Sequence, residues 1–212
     1  MRGFIVQEFI CETVCNGVTR EQGVVMGMHK KAIRLFVAIP MPRVVQEEVV
    51  RIQKKVVTSV PSACFVTPGQ LHSTLVFIGE VPVASVSAID NELVSIEHEP
   101  FSLTLGPLDF FAVQGQRRAI VFCRLVSTAL TVLADKVATA VVPWMKNDRG
   151  AFVGHVTVAR MPRDVNRVEI ERVCQKAVVD PVTFTVDHFV LYQARLTPEG
   201  SVYTVTNSYI LD

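Results

Sequence analysis

Two short segments of this 212-residue sequence carry the same arrangement of a histidine and a threonine. His72-Ser73-Thr74-Leu75 lies in the first half of the chain, and His155-Val156-Thr157-Val158 lies in the second. An imidazole can hold or release a proton near neutral pH, and a threonine hydroxyl can donate to a phosphate oxygen. If the two segments met at one cleft, one histidine could take a proton from water while the other gave one to a leaving oxygen. That is the chemistry of phosphodiester cleavage, and it requires no metal.

Both segments are predicted strands, and the spacing within each has a geometric consequence. Side chains two residues apart on a strand point to the same face of the sheet. His72 should therefore share a face with Thr74, and His155 should share one with Thr157. The opposite faces would carry the neighbours that anchor each strand, namely Leu71, Ser73, Leu75 and Phe77 in the first, and Val156 and Val158 in the second.

A cation is available close to the second motif. Arg160 lies three residues beyond Thr157, and a guanidinium there could bind a phosphate in a bidentate manner. By strand alternation, however, Arg160 would point away from His155 and Thr157. Its assignment to the site therefore requires a bulge or a strand end at that point.

The elements that must position these residues follow a repeated order. Apolar runs and alternation predict strands at 33–39, 70–78, 101–108, 119–125, 152–159, 182–192 and 201–211, and Gly79 is expected to end the second. Helical spacing of apolar residues predicts four helices, around 45–56, 86–96, 130–141 and 165–178. The order strand, helix, strand, helix, strand thus occurs twice. We interpret this as a duplicated α+β unit, one domain with two lobes and with helices on the outer face of each sheet.

Composition restricts the partners of the protein. The formal net charge is +1, so binding to a phosphate must come from a local site and not from an overall basic surface. The five cysteines show no zinc-site spacing and are expected to be thiols in a reducing cytoplasm. Residues 1–31 are too acidic for a signal peptide, and no later stretch is expected to span a membrane. We expect 1–31 to be a variable extension or a mis-called start and 32–212 to be the functional domain.

Four blocks of residues resemble a known family, the two-histidine phosphoesterases. The resemblance is closest to the bacterial and archaeal RNA 2′,3′-cyclic phosphodiesterases, also called 2′-5′ RNA ligases. It runs from about Arg34 to the C-terminus and is carried by RLFVAIP at 34–40, LHSTLVFIGEV at 71–81, HVTVAR at 155–160 and LYQARLTP at 191–198, followed by Gly200 and Tyr203.

The resemblance implies a duplicated bilobal α+β fold, with two antiparallel sheets flanking a central cleft. It implies hydrolysis of a terminal 2′,3′-cyclic phosphate on RNA ends or nucleotides to a 2′-phosphate, without metal or other cofactor. By the family pattern, His72 is the general acid and His155 the general base. Thr74, Thr157 and Arg160 match the phosphate contacts, and Phe36 matches a residue that stacks on the terminal base. A monomer located in the cytoplasm is expected.

The sequence departs from the family pattern at several positions, two of them beside the motifs. Ser73 stands where the family often has an aliphatic residue, and Gly154 stands where it often has a proline. Phe65 and Phe122 stand where it often has a tryptophan. None of these departures removes a catalytic group. These departures bear on which substrate is preferred more than on which reaction is catalysed.

Other functions remain open from the sequence. The same scaffold could be a non-catalytic RNA- or nucleotide-binding module, or could join RNA halves by the reverse reaction. A related activity on ADP-ribose cyclic phosphate or oligoadenylates is a further alternative. His29, His98 and His188 are interpreted as structural, and Tyr192 as a packing residue.

Overall fold

A computed structural model of the chain describes residues 32–113, 118–146, 150–198 and 200–212. The extension predicted at 1–31, with His29, lies outside these residues.

Nine strands and four helices make up the described part of the chain. In chain order they are β1 (Ala32–Pro40), α1 (Arg43–Ser59), β2 (Cys64–Phe65), β3 (His72–Pro82), α2 (Val86–Val94), β4 (Phe101–Val113), β5 (Arg118–Leu125), α3 (Thr128–Val141), β6 (His155–Arg160), α4 (Arg167–Lys176), β7 (Thr183–Val186), β8 (His188–Thr197) and β9 (Gly200–Ile210).

The strands form two antiparallel sheets, and each sheet draws strands from both halves of the chain. One sheet has the order β3-β1-β8-β9, and the other has the order β2-β6-β5-β4-β7. The two halves are therefore interleaved, because β8 and β9 extend the sheet begun by β1 and β3. The α+β fold with two antiparallel sheets, expected from the sequence, is confirmed.

Three details of the strand assignment were wrong. The single strand predicted at 182–192 is two strands, because the chain leaves one sheet after Val186 and enters the other at His188. The two-residue strand β2 was missed, since so short a pairing has no periodic signal. Gly79 does not end β3, which continues to Pro82. Instead, Gly79 lies beside a register shift with a φ of 93°, a value that glycine adopts without strain.

Local sequence explains where the helices begin. Pro42 precedes α1, where its fixed φ suits a helix start. The Ser127 side chain accepts a hydrogen bond from the Leu130 N–H at the start of α3. Asn166 and Glu169 form a reciprocal capping box at the start of α4.

The helices cover the strands that carry the two histidine motifs. The predicted apolar stripe of α1, Val45, Val49, Ile52 and Val56, is fully buried. The α1 helix packs on β6, and α3 packs on β3, so each motif strand is backed by a helix from the other half. The resulting core includes residues of both sheets.

Two further expectations concern the whole chain. No helix among the described residues is both long and apolar enough to cross a membrane. Cys123 and Cys174 are free thiols as expected. Cys64 is disulfide-bonded, so the expectation of a thiol is wrong at that position.

Candidate active site

The two histidine strands approach each other where the two sheets meet. β3 is an edge strand of its sheet, and β6 lies one strand in from the edge of the other. Cα atoms of β3 and β6 come within 8 Å of each other. The fold therefore brings close together the two strands that carry the motifs, although these strands are far apart in the sequence.

The residue before each histidine is anchored in the same way. The Met41 N–H donates to the Leu71 carbonyl at 3.1 Å, and the Leu125 N–H donates to the Gly154 carbonyl at 2.8 Å. Met41 follows β1 and Leu125 ends β5, which are corresponding strands of the two halves. The duplication thus extends to the hydrogen bonds that fix the start of each motif.

The two imidazoles are oriented by equivalent hydrogen bonds. His72 Nδ1 lies 2.7 Å from the Gln70 carbonyl, and His155 Nδ1 lies 2.7 Å from the Val153 carbonyl. A carbonyl oxygen only accepts, so each Nδ1 carries the proton and donates it. In both rings this assigns proton transfer to Nε2, which is the geometry that an acid–base pair requires.

A bulge in β6 turns Arg160 toward the site. Thr157 pairs with Phe122 and Ala159 pairs with Val121, so Val158 is an extra residue without a partner on β5. Such an insertion shifts the alternation of side chains by one position. Val158 and Ala159 are both fully buried, whereas Thr157 and Arg160 are both half-buried. The bulge that the sequence required is present, and Arg160 lies on the face of Thr157.

The same bulge occurs in β3 and corrects one prediction. Thr74 pairs with Ala38 and Val76 pairs with Val37, which leaves Leu75 as the extra residue. Phe77 therefore lies on the face of Thr74, and its ring centroid is 5.9 Å from that of Phe36. The prediction that Phe77 faces away was wrong, because strict alternation fails at a bulge. Phe77 occupies in the first lobe the place that Arg160 has in the second.

The guanidinium of Arg160 differs from most others in the described chain. Within the described residues, the structure shows no carboxylate paired with Arg160. Five other arginines form ion pairs, namely Arg34 with Glu80, Arg43 with Glu47, Arg51 with Glu48, Arg124 with Asp109 and Arg167 with Glu171. A half-buried cation on the same face of β6 as Thr157 is a suitable group to bind an anion.

Aromatic rings surround His72. Its ring centroid lies 5.1 Å from Phe36, 5.4 Å from Tyr203 and 6.1 Å from Tyr192. Phe36 is only 2 % exposed and stacks on Tyr192 at 5.0 Å, which weighs against direct stacking of a base on it. Tyr192 and Tyr203 are half-buried, and burial raises the pKa of Tyr192. The sequence analysis missed Tyr203 as a site residue and placed Tyr192 in packing, because the β8–β9 hairpin joins β1 only in the folded chain.

A smaller aromatic pair encloses His155. Its ring meets Phe111 edge-on at 5.1 Å and Phe122 at 5.3 Å, and these two rings stack at 4.1 Å. His155 is 8 % exposed, whereas His72 is half-buried. The two histidines thus have unequal surroundings, with the more enclosed ring in the lobe that carries Arg160.

The two departures beside the motifs have structural counterparts. A Cβ atom on Gly154 would lie 2.5 Å from the Leu125 carbonyl oxygen and 2.6 Å from Leu130 Cδ2, so any larger residue would displace its neighbours. Ser73 is fully buried behind His72, and its hydroxyl has no hydrogen-bond partner.

The other histidines have partners away from these motifs. The His98 ring nitrogens lie 2.7 Å and 3.1 Å from the carbonyls of Glu99 and Ala129. The His188 ring is paired with Asp187 at 2.6 Å and lowers the pKa of that carboxyl. The described segments contain no group of three or more His, Cys, Asp and Glu side chains that could hold a metal ion.

Comparisons with known proteins agree with this architecture. A family model described as the 2′-5′ RNA ligase superfamily matches residues 41–197, which is well over half of the chain. A protein of Thermus thermophilus named RNA 2′,3′-cyclic phosphodiesterase is 30 % identical over 84 % of this chain and 90 % of its own length. A protein of the same name from Archaeoglobus fulgidus is 28 % identical over 81 % of this chain and 96 % of its own.

Solved structures share the fold. The crystal structure of TT0787 from Thermus thermophilus superposes with a TM-score of 0.67 at 26 % identity, covering 84 % of this chain and 98 % of that one. Escherichia coli LigT complexed with 3′-AMP superposes with a TM-score of 0.64 at 24 % identity, covering 85 % and 98 %.

Proposed function

The chain belongs to the 2′-5′ RNA ligase superfamily, and from that premise we propose that it hydrolyses terminal 2′,3′-cyclic phosphates on RNA ends or nucleotides to 2′-phosphates. The observation that carries the proposal is the matched pair of imidazoles on corresponding strands. Each holds its Nδ1 proton on the carbonyl two residues earlier in the chain. Relatives named RNA 2′,3′-cyclic phosphodiesterase, at 25 % to 30 % identity, support this choice of reaction.

Proton transfer by the two histidines accounts for the whole reaction. Neutral His155 takes a proton from water at Nε2, and the water oxygen forms a bond to phosphorus. The bond between phosphorus and the 3′ oxygen breaks, and doubly protonated His72 gives its Nε2 proton to that oxygen. The product is a 2′-phosphomonoester with a free 3′ hydroxyl. We propose that the reaction needs no metal, because the two imidazoles supply both proton transfers.

The phosphate contacts come from both lobes. Thr74 and Thr157 lie on the faces of their histidines, and their hydroxyls would donate to the non-bridging oxygens. Arg160 would pair with the same oxygens as negative charge builds in the transition state. Its position beyond the β6 bulge supports this role.

The surroundings of the two histidines support the assignment of acid and base. The aromatic rings around His72 suit the nucleoside, so the ribose with its leaving 3′ oxygen would lie on that side. Water would then attack from the side of His155. Tyr192 and Tyr203 would contact the base, and Phe36 would support them from beneath.

A short RNA that ends in a 2′,3′-cyclic phosphate, incubated with the protein in chelator, tests the proposal. We expect hydrolysis to a 2′-phosphate and a loss of at least about 100-fold in kcat/KM for His72→Ala or His155→Ala, since positioned acid–base groups contribute about 10² to 10⁴. His98→Ala is the matched control, because its ring contacts backbone carbonyls away from the motifs.

The alternatives give different results in the same assay. A binding module would retain RNA in both histidine variants and show no turnover in the unmodified chain. Unchanged kcat/KM in either histidine variant would overturn the mechanism. Two RNA halves, one that ends in a 2′,3′-cyclic phosphate and one that begins with a 5′ hydroxyl, would reveal joining as the reverse reaction.

A further inference from the structure

We propose that Gln53 is a positioning residue which holds the β6 bulge so that Arg160 faces the phosphate; this inference rests on the proposed function. Gln53 lies on α1, far from the motifs in the sequence. Its amide nitrogen donates to the Val66 carbonyl at 2.8 Å and to the Val158 carbonyl at 3.0 Å. Val158 is the extra residue of the bulge, so the contact is made at the point where the alternation of β6 changes.

The carbonyl of Val158 has a second donor in the same place. The Val66 N–H, just beyond β2, approaches it at 3.4 Å, a longer contact than the one from Gln53. This bond continues the antiparallel pairing of β2 and β6 by one residue, so the Val158 carbonyl points toward β2 although Val158 has no partner on β5. Gln53 supplies the shorter of these two hydrogen bonds from a helix, which is a rigid support.

The helix behind the first motif strand has a different buried face. The corresponding bulge in β3 is backed by α3, whose buried side chains are apolar, namely Leu130, Leu133, Ala134, Val137 and Val141. That bulge positions Phe77, a side chain that needs no hydrogen-bonding geometry. The polar support is thus found behind the bulge that orients a guanidinium, which binds an anion only at a defined angle and distance.

Gln53→Glu tests the inference with almost no change in shape. The carboxylate has the length of the amide but no N–H, and it would place its oxygens against two carbonyl oxygens. We expect kcat/KM on the cyclic phosphate to fall roughly 10- to 100-fold, because small displacements of a positioning group have effects of that size. Gln175→Glu is the control for the change of charge, since Gln175 is exposed on α4.

A double-mutant cycle with Arg160→Ala separates positioning from a general structural role. If Gln53 acts through Arg160, adding Gln53→Glu to Arg160→Ala should lower kcat/KM by less than about threefold more. An equal loss in both backgrounds would overturn the inference, as would unchanged kcat/KM in the single variant. Thermal unfolding of the unmodified chain, the two single variants and the double variant shows that all four are folded at the assay temperature.

Binding of inorganic phosphate, measured by calorimetry, keeps this test separate from the proposed reaction. We expect Gln53→Glu and Arg160→Ala each to weaken phosphate binding. In the double variant, we expect the two losses of binding free energy not to add. If the unmodified chain hydrolyses no cyclic phosphate, the proposed function fails, and the phosphate affinities alone decide the role of Gln53. If the unmodified chain hydrolyses the cyclic phosphate, and the losses of phosphate-binding free energy in the two single variants add up in the double variant, the role of Gln53 fails while the proposed function stands.

Discussion

Single residues set the chemistry of this site through the groups that hold them. The backbone carbonyls of Gln70 and Val153 fix the tautomer of His72 and His155, and neither contact depends on a side chain that substitution could remove. The proposed acid–base function is therefore tied to the backbone path before each motif. Conversely, Ser73 places a hydroxyl in the core directly beside His72, with no partner for it.

Ser73→Ala should stabilise the fold. A buried hydroxyl without a hydrogen bond is costly relative to an apolar atom, so we expect the free energy of unfolding to rise by about 1 kcal/mol. Urea denaturation measures the change, and Ser102→Ala on the exposed side of β4 serves as control with a shift close to zero. A loss of stability in Ser73→Ala would show that the hydroxyl is satisfied in solution.

At the scale of elements, two bulges decide which side chains share a face with the histidines. One extra residue after each threonine, Leu75 and Val158, brings the third residue beyond the threonine back to the histidine face. That residue is Phe77 in one lobe and Arg160 in the other. A duplicated backbone feature thus presents an apolar ring on one side and a cation on the other, which suits a substrate that has a base at one end and a phosphate at the other.

Gly154 should not tolerate a side chain, because it lies where β5 and α3 meet the start of β6. A Cβ atom there would be 2.5 Å from the backbone oxygen of Leu125, which cannot rotate away. We expect Gly154→Ala to destabilise the fold by about 1–3 kcal/mol and to lower kcat/KM by displacing His155. Thermal unfolding and steady-state kinetics measure both effects.

Gly69 provides the comparison for Gly154. It lies three residues before His72, and a Cβ atom on it would have nothing within 4 Å. Gly69→Ala should therefore leave the melting temperature and kcat/KM close to those of the unmodified chain. Equal losses in the two variants would contradict a steric explanation.

At the scale of the whole molecule, α1 joins the two lobes. Besides Gln53, it carries Glu48, a side chain 7 % exposed that accepts two hydrogen bonds from Arg51 and one from the Asp180 N–H. Arg51 also donates to the Val178 carbonyl at 3.0 Å. These contacts fix α1 to the segment between α4 and β7. The helix that supports β6 is therefore itself held in place by a second part of the chain.

The Glu48 cluster should make stability depend on acid pH. Burial alone would raise the pKa of Glu48, but the hydrogen bonds from Arg51 and the Asp180 N–H outweigh it and lower the pKa below its ordinary 4.5. A carboxyl whose pKa is lowered by folding stabilises the fold above its ordinary pKa, and this contribution disappears as pH falls through the lowered value. We expect Glu48→Gln to be less stable than the unmodified chain at neutral pH.

The difference between the two proteins should shrink as the pH falls below 4.5. Urea denaturation at a series of pH values measures it. Glu47→Gln is the control, because Glu47 on the same helix makes only an exposed ion pair with Arg43. A difference that stays constant across the acid range would contradict a charged Glu48 in the fold.

The sequence by itself determined the two motifs, the strands that carry them and the duplicated order of elements, because these depend on local spacing and on apolar periodicity. It also showed that Arg160 could join the site only through a bulge or a strand end. Only the tertiary structure decided that β6 has that bulge, that Phe77 takes the matching place, and that Tyr192, Tyr203 and Gln53 approach the motifs. Bulges and contacts between distant strands arise from how two sheets exchange strands and pack, and a single strand or helix carries no local signal of that exchange.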